Sequence, residues 1–190
     1  MNIAIIFHSV CGNNYLVARK FEEELKGLGA SVVLLRTPDQ GWTEKSGLAP
    51  DVQANLRAMR AVPIATGDAM LKADRVIMGS PTYFGNVSAS MKAFMDSTGK
   101  IWVEGGLSGK KFAAFTSAGN TEGGGDLCLQ ALHTYAQYMG MLSVPMPVTV
   151  VPEHTNALGI IHYSQGKYAE ALDPLTSGMI KGFSSFLMKV

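Results

Sequence analysis

Five short apolar runs recur along the chain, each about as long as a buried strand. They are Ile3–Phe7, Val32–Leu35, Val76–Met78, Phe112–Phe115 and Met141–Val144, and Val148–Val151 is a candidate continuation of the last. Short continuous apolar runs are typical of parallel strands that are covered on both faces. The pattern therefore predicts a buried parallel sheet.

The segments between these runs carry apolar residues three and four positions apart. The clearest sets are Val17, Phe21, Leu25 and Leu28 in the first segment, Met91, Phe94 and Met95 in the third, and Leu127, Ala131, Leu132, Tyr135 and Met139 in the fourth. That spacing predicts amphipathic helices. Because strand and helix alternate, we expect an α/β fold with right-handed crossovers and helices on both faces of the sheet.

Two stretches interrupt this alternation. Residues Thr37–Pro63 contain Trp42 and three prolines and predict an irregular excursion, with a short helix after Asp51, before a helix at Thr66–Ala73. Long excursions of this kind are often functional or form oligomer contacts. The stretch after Val151 has no clear period.

A last helix is predicted near the end of the chain. Asp173 and Pro174 make a suitable N-cap and first helical residue. The inward positions of this helix are Met179, Ile180, Phe183 and Phe186.

Length, composition and charge limit the kinds of protein that this chain can be. At 190 residues and 47% hydrophobic, the chain fits a single domain spanning residues 1–190, with the excursion at about residues 37–63. A net charge of +1 with scattered basic residues disfavours electrostatic capture of nucleic acid or of a membrane surface. The first apolar run is too short for a signal peptide, and no apolar run is long enough to predict a membrane span. The two cysteines fit neither a disulfide framework nor a zinc spacing, so we expect a cytoplasmic protein.

The histidines give no reason to expect a metal site. His154 and His162 are eight positions apart with only Glu153 nearby, which is not a metal-ligand spacing. His133 lies within a helical pattern, where a surface or packing role is favoured over catalysis.

The loop after the first strand, "HSVCGNN" at residues 8–14, lies where open parallel sheets bind ligands. It has one glycine, Gly12, and no Lys, so it is neither a Walker A loop nor a dinucleotide fingerprint. Helix amides with the side chains of Ser9, Asn13 and Asn14 suit one terminal phosphate. The alternative is a polar turn that only caps the helix, and this loop alone leaves both open.

Two further loops reach the same edge of the predicted sheet. The loop "GSPTYFGN" at residues 79–86 places Tyr83 and Phe84 at its tip, beside a flexible Gly85-Asn86 pair that suits a planar ring. The loop at residues 116–126, "TSAGNTEGGGD", exposes its amides at close range, although Gly123–Gly125 is also consistent with a mobile turn. The three loops together suit a mononucleotide with a large flat ring.

Several of these segments resemble a known family. The motifs "SVCGN", "GSPTYFGNVSASMKAFMDSTGKIW" and "FTSAGNTEGGG" are similar to those of the flavodoxin-like NAD(P)H:quinone oxidoreductases of the WrbA type, over residues 1 to about 150. The resemblance implies a flavodoxin-like three-layer α/β/α fold with a five-stranded parallel sheet in the order 2-1-3-4-5. It also implies noncovalent FMN, NAD(P)H as electron donor, a quinone as small-molecule acceptor, and homodimers or homotetramers.

The resemblance also assigns residues. The FMN phosphate would be held by Ser9, Val10, Cys11, Gly12, Asn13 and Asn14. The isoalloxazine would be edged by Pro81, Thr82, Tyr83, Phe84, Gly85 and Asn86. The ribityl chain and the polar side of the ring would contact Ser117, Ala118, Gly119, Asn120, Thr121 and Glu122. Trp102 would wall the substrate site.

The chain departs from the family pattern at two positions. Cys11 stands where the family usually has an aromatic residue that contacts nicotinamide. It is either a small filler or a reactive thiol at a helix N-terminus. Tyr138 stands where the family usually has a histidine beside the flavin, so it is the candidate catalytic residue.

Three functions are compatible with these residues. The first is an FMN-dependent NAD(P)H:quinone oxidoreductase, in which Tyr83, Phe84 and Trp102 are site residues, interface residues or both. The second is a flavodoxin-type electron carrier, which the near-neutral charge disfavours because such carriers are usually acidic. The third is a scaffold of the same fold without flavin.

Overall fold

A computed structural model describes residues 1–38, 49–147, 155–156, 158–163, 172 and 174–190 of the chain. The strands are β1 (Asn2–Phe7), β2 (Ser31–Arg36), β3 (Arg75–Pro81), β4 (Lys111–Ala118), β5 (Leu142–Ser143), β6 (Thr155–Asn156) and β7 (Gly159–Tyr163). The helices are α1 (Asn13–Gly27), α2 (Pro50–Arg60), α3 (Gly67–Lys72), α4 (Ala89–Ser97), α5 (Gly99–Val103), α6 (Gly125–Tyr138) and α7 (Pro174–Lys189).

The predicted parallel sheet and its strand order are confirmed. The order is β2-β1-β3-β4, and the fifth position beside β4 is filled first by β5 and then by β7. Leu142 pairs with Lys111 at the start of β4, whereas Gly159 pairs with Ala114 farther along it. The fifth strand is therefore divided into two pieces, and β6 pairs antiparallel with β7 outside it.

Gly159 allows the second piece to join the sheet. A β-carbon at this position would lie 2.2 Å from the carbonyl oxygen of Ala114, and the residue has a φ of +156°. A side chain here would collide with backbone that cannot yield, so only glycine permits this close approach.

Alternate residues of each strand pack into two separate hydrophobic cores, one on each face of the sheet. Ile3, Ile5 and Phe7 of β1 face α1 and α7, while Ala4 and Ile6 face the layer that contains α3, α4, α5 and α6. This division follows from the two-residue period of a strand. The predicted coverage of both faces by helices is confirmed.

Phe21 of α1 illustrates the packing on the first face. Its ring centroid lies 5.6 Å from that of Phe115 and 6.3 Å from that of Phe183, and all three rings are fully buried. Burial of one phenylalanine contributes about 1.5–3 kcal/mol, so this trio fastens α7 to the sheet through α1.

The predicted helices are present with small changes in their bounds. The short helix expected after Asp51 is α2, which begins at Pro50, and α7 begins at Pro174 as expected. Met179, Ile180 and Phe183 are buried, and Phe186 packs against them while partly exposed. Trp42, Asp173, His154 and the candidate continuation at 148–151 lie outside the described residues.

His133 has the packing role that its helical position favoured. Its Nε2 lies 2.5 Å from the carbonyl oxygen of Leu158, just before β7, and its Nδ1 lies 2.8 Å from the hydroxyl of Ser143 in β5. Because a carbonyl only accepts, Nε2 carries the proton and Nδ1 accepts from Ser143 in the neutral ring. The imidazole therefore ties the two pieces of the fifth strand together.

The environment of His133 disfavours its charged form. The side chain is buried, and its ring meets that of Phe112 edge-on, with centroids 5.1 Å apart. Burial lowers the pKa of His133, and the hydrogen bond to Leu158 only partly opposes this effect.

Candidate functional site

Three loops meet at the edge formed by the carboxyl ends of β1, β3 and β4. They enclose a cavity of about 190 Å³. The cavity is lined by Ser9, Val10, Cys11, Asn13, Pro81, Thr82, Tyr83, Ser117, Ala118 and Gly119. All ten belong to the segments that the sequence predicts for the phosphate, the ring and the ribityl chain, so the structure brings the three groups together.

A larger depression of about 560 Å³ lies at the opposite edge, between the starts of β1 and β2 and helix α3. We take the smaller cavity as the candidate site despite the difference in volume. Ligands of open parallel sheets bind beyond the carboxyl ends of the strands. No site loop reaches the larger depression.

The first loop turns so that the N-terminus of α1 opens into the cavity. Gly12 has a φ of +104°, and its N–H donates to the hydroxyl oxygen of Ser9 over 3.1 Å. No side-chain hydrogen bond caps α1 at Gly12. The positive end of α1 and the hydroxyl of Ser9 therefore border the position where an anion would bind.

Asn13 and Asn14 have different positions although they are adjacent in sequence. Asn13 lines the cavity and is half-buried. Asn14 is fully buried, and its side-chain amide donates to the carbonyl oxygen of His8 over 3.1 Å. Asn14 thus braces the end of β1 from behind the loop.

The second loop is a tight hairpin at residues 83–86. The backbone N–H and C=O groups of Tyr83 and Asn86 bond each other in both directions, at 2.9 and 3.0 Å. The two residues between them, Phe84 and Gly85, have φ values of +52° and +73°. This is the conformation of a type I′ turn, which strongly favours Asn and Gly and is costly for phenylalanine.

Phe84 is nevertheless displayed at the tip of this turn with its side chain fully exposed. Tyr83 lines the cavity and is about half-exposed, whereas Phe84, Gly85 and Asn86 do not line it. The Asn86 side chain instead accepts from the N–H of Val87 over 2.8 Å. The predicted ring-edging segment therefore contributes its first three residues directly.

The third loop packs on the second. The hydroxyl of Thr82 lies 3.2 Å from the carbonyl oxygen of Gly123 and 3.1 Å from that of Gly124. Gly123–Gly125 is therefore a packed junction in this structure. Ser117, Ala118 and Gly119 face the cavity, while Asn120, Thr121 and Glu122 are exposed beyond it.

Trp102 and Tyr138 lie at the other edge of the sheet. The turn after α5 and the end of α6 meet where the N–H of Gly109 donates to the carbonyl of Gly140 over 2.9 Å, just before β4 begins. The eight residues of β4 separate this edge from the cavity, a span of roughly 23 Å. Both side chains are more than half exposed, and neither lines the cavity of its own chain.

Charge is scarce around the cavity. None of the described residues that line it is Lys or Arg, so the positive end of the α1 dipole is the nearest source of attraction for an anion. Within the described part of the chain, no three His, Cys, Asp or Glu side chains are grouped as metal ligands. Cys11 is a half-buried thiol in the cavity wall and forms no disulfide.

Comparison with known proteins agrees with this geometry. Residues 1–156 match the model of a family described as NADPH-dependent FMN reductase. The chain belongs to this family.

Two relatives that are similar in sequence share the same description. The NAD(P)H dehydrogenase (quinone) of Geobacter sulfurreducens is 34% identical over 154 residues, 77% of this chain and 72% of that protein. The protein of the same description from Deinococcus radiodurans is 34% identical over 145 residues, covering 76% and 72%.

Solved structures support the flavodoxin-like fold of this FMN reductase family member. A flavodoxin, WrbA-like protein from Agrobacterium tumefaciens superposes with a TM-score of 0.67 at 20% identity, over 99% of this chain and 95% of that one. Oxidised flavodoxin 1 from Bacillus cereus gives a TM-score of 0.66 at 15% identity, over 100% and 98%. None of the helices that the structure describes is long and apolar enough to cross a membrane.

Proposed function

We propose that the protein binds FMN noncovalently at the three-loop cavity and transfers electrons from NAD(P)H to quinones or similar flat acceptors. The observation that carries this proposal is the uncapped N-terminus of α1, which opens into a cavity walled by Pro81 and Tyr83. An anion-binding end beside a flat wall suits a phosphate joined to a planar ring. Bound FMN would supply the hydride and electron chemistry.

The phosphate end would be held without a cation. The amides at the start of α1, the hydroxyl of Ser9 and the side chain of Asn13 all border the cavity. Each hydrogen bond to a charged oxygen contributes about 1.5–3 kcal/mol, so a few of them suffice. Asn14 would act indirectly, because its amide is already bonded to His8 and its side chain is buried.

The ring would lie between the second and third loops. Pro81 and Tyr83 offer flat apolar area on one side, and Ser117–Gly119 offer small side chains and backbone on the other. Most backbone donors of the second loop are already used: the N–H of Thr82 donates to Ser117 and that of Tyr83 to Asn86. Polar contacts to the ring would therefore come mainly from the third loop.

Cys11 borders the same cavity and would affect the electron donor. A thiol provides no aromatic face on which nicotinamide can stack. We expect this site to need a higher NAD(P)H concentration for half-maximal rate than one with an aromatic side chain at this position.

We further propose that the protein assembles as a homodimer or homotetramer. Trp102, Val103, Tyr138 and Leu142 are large apolar side chains at least half exposed at the edge opposite the cavity. The N–H of Gly109 donates to the carbonyl of Gly140, which places the turn after α5 next to the end of α6, the segments that carry these side chains. A second copy would cover this surface, and Trp102 and Tyr138 would reach a flavin only in that other copy.

Sedimentation of two matched variants tests the assembly. Trp102→Glu places a charge in the exposed surface and should shift the protein toward monomers. Leu28→Glu places the same charge on an exposed leucine at the end of α1, in the other helix layer, and should not. Equal behaviour of both variants and the unaltered chain would contradict this interface.

The carrier and scaffold alternatives have less support. A net charge of +1 gives little of the field that steers an electron carrier to its partners, and a scaffold has no need of an uncapped helix end at a cavity. A cytoplasmic location would suit Cys11 and Cys128, which form no disulfide.

Anaerobic spectroscopy of the FMN-loaded protein tests the proposed function. NADH or NADPH should bleach the oxidised flavin band, and a soluble quinone should restore it. Flavin that stays oxidised with both nucleotides would contradict the enzyme and favour the carrier.

A further inference from the structure

Four buried side chains lie directly beneath the loop that walls the cavity. They are Ser80, Ser88, Thr116 and Cys128, all at most 2% exposed. None of them lines the cavity, and the sequence assigns no individual role to any of them. Each is a small polar group in a position where an apolar residue would otherwise complete the core.

Three of them, Thr116, Ser80 and Cys128, donate toward two carbonyl groups. The hydroxyl of Thr116 donates to the carbonyl oxygen of Ser80 over 2.7 Å, and the Ser80 hydroxyl donates to that of Pro81 over 3.0 Å. The Cys128 thiol lies 3.8 Å and 3.9 Å from the same two oxygens. Two consecutive peptide groups are thus held from below.

Hydrogen bonds also hold the end of this loop at Ser88 and its backbone at Thr82. The N–H of Ser88 donates to the Ser80 hydroxyl over 2.9 Å, and the Ser88 hydroxyl in turn caps α4 by accepting from Met91. The N–H of Thr82 donates to Ser117 over 3.0 Å. Pro81 itself has a fixed φ and no N–H. The peptide groups after Ser80 and Pro81 therefore have little conformational freedom.

Cys128 contributes as a neutral donor. Burial raises its pKa to about 11, although hydrogen bonds with Thr116 and Ser80 oppose this shift. The thiol is therefore protonated at neutral pH and is a poor nucleophile. Its sulfur–oxygen distances show that it is the weaker of the two side-chain donors to the Ser80 carbonyl.

We propose that Thr116 and Cys128 are positioning residues for the cofactor wall, acting through the carbonyl groups of Ser80 and Pro81. This inference rests on the proposed FMN site. Without the Thr116 hydroxyl, the weak Cys128 thiol is the side-chain donor that remains at the Ser80 carbonyl. The loop then populates arrangements that do not fit the ring. If the fitting arrangement falls to between a third and a tenth of the population, the apparent dissociation constant rises about three- to tenfold.

Thr116→Val is the central test because it keeps the shape of the side chain and removes only the hydroxyl. Thr116→Ser keeps the hydroxyl. Thr98→Val is the matched control, since Thr98 is also buried and hydrogen-bonded, to Met95 and Tyr135, but lies at the opposite edge. The probe is FMN itself, titrated by quenching of its fluorescence, with thermal unfolding of each apoprotein measured in parallel.

We expect Thr116→Val to weaken FMN binding about three- to tenfold, Thr116→Ser to restore it, and Thr98→Val to lose stability while binding FMN as the unaltered protein does. If Thr116→Val does not fold, Cys128→Ala and Cys128→Ser replace it. Cys128→Ser supplies a stronger hydrogen-bond donor in a smaller side chain, so it should bind FMN at least as well as Cys128→Ala does. The inference is overturned if Thr116→Val, or failing that Cys128→Ala, binds FMN with unaltered affinity. Failure of the unaltered protein to bind FMN would instead overturn the proposed function.

Discussion

Gly85 and Gly124 meet backbone to backbone, where the second and third loops of the candidate site touch. A β-carbon added to Gly124 would lie 2.9 Å from the α-carbon of Gly85 and 3.3 Å from its nitrogen. Both glycines have positive φ angles, +73° and +74°. Two loops from different strands are thereby joined into one wall.

Gly124→Ala should therefore damage both stability and the site. The new methyl group meets backbone that cannot move aside, and alanine disfavours a φ of +74°. We expect a loss of about 1–3 kcal/mol in the free energy of unfolding together with weaker FMN binding. Denaturant unfolding and an FMN titration measure the two effects.

Gly27→Ala is the matched control for this substitution. Gly27 lies in the last turn of α1, and a β-carbon there would meet nothing within 4 Å. The control should leave stability unchanged or slightly higher. If Gly124→Ala is equally harmless, the junction of the loops has been misassigned.

Phe84→Asn should stabilise the protein without flavin. Phe84 has a φ of +52° and a fully exposed side chain, so the fold gains little from the ring and sustains an unfavourable backbone conformation. Asparagine tolerates this conformation, and we expect a gain of about 0.5–1 kcal/mol in the free energy of unfolding. Phe84→Ala removes the ring without relieving the backbone and should not give that gain. A destabilised Phe84→Asn would mean that the ring makes contacts that the free chain does not show.

His133 should make stability fall on acidification. Its pKa is lowered in the folded protein, so the unfolded chain binds the proton more readily. The stabilisation is fully present above the unfolded pKa of about 6.5 and declines as the pH falls below it toward the folded value. Unfolding free energies measured between about pH 7.5 and 5 should fall less steeply in His133→Gln than in the unaltered protein. Parallel pH profiles would show that His133 does not contribute to the acid response.

Asn13 and Asn14 should respond differently to replacement by alanine. Asn13→Ala removes a cavity-lining amide and should weaken FMN binding by about tenfold with little change in stability. Asn14→Ala removes the bond to the His8 carbonyl and should lower both stability, by about 1 kcal/mol, and FMN affinity. Titration and unfolding of the two variants side by side decide this. Loss of affinity in Asn14→Ala at unchanged stability would place Asn14 in direct contact with the phosphate.

Much of the framework could be predicted because its signals are local. Ile3–Phe7 is a continuous apolar run, and Val17, Phe21 and Leu25 have helical spacing, so both elements follow from the pattern. The composition of the first loop excludes the Walker A and dinucleotide motifs, but it leaves both a terminal-phosphate site and a capping turn open. Such arguments need only the neighbouring residues.

The parts that escaped prediction depend on distant contacts. In β7, Ile160 and Ile161 make an apolar run that is too short to predict a strand. The position of β7 in the sheet depends on the close approach of Gly159 to Ala114. The different roles of Asn13 and Asn14 follow from which side of the loop each occupies. The distance of Trp102 and Tyr138 from the cavity of their own chain follows from the direction of α4, α5 and α6, which lead away from the site.

The most direct test of the central claim is the identity and fate of the bound cofactor. The protein should be purified, its flavin released by acid and identified by chromatography, and the FMN-loaded protein treated anaerobically with NADH and with NADPH. We predict that FMN is recovered, because the first loop is proposed to hold a terminal phosphate, and that at least one nucleotide bleaches it until a quinone restores the colour. Recovery of FAD alone, or no binding of added FMN, would contradict the account.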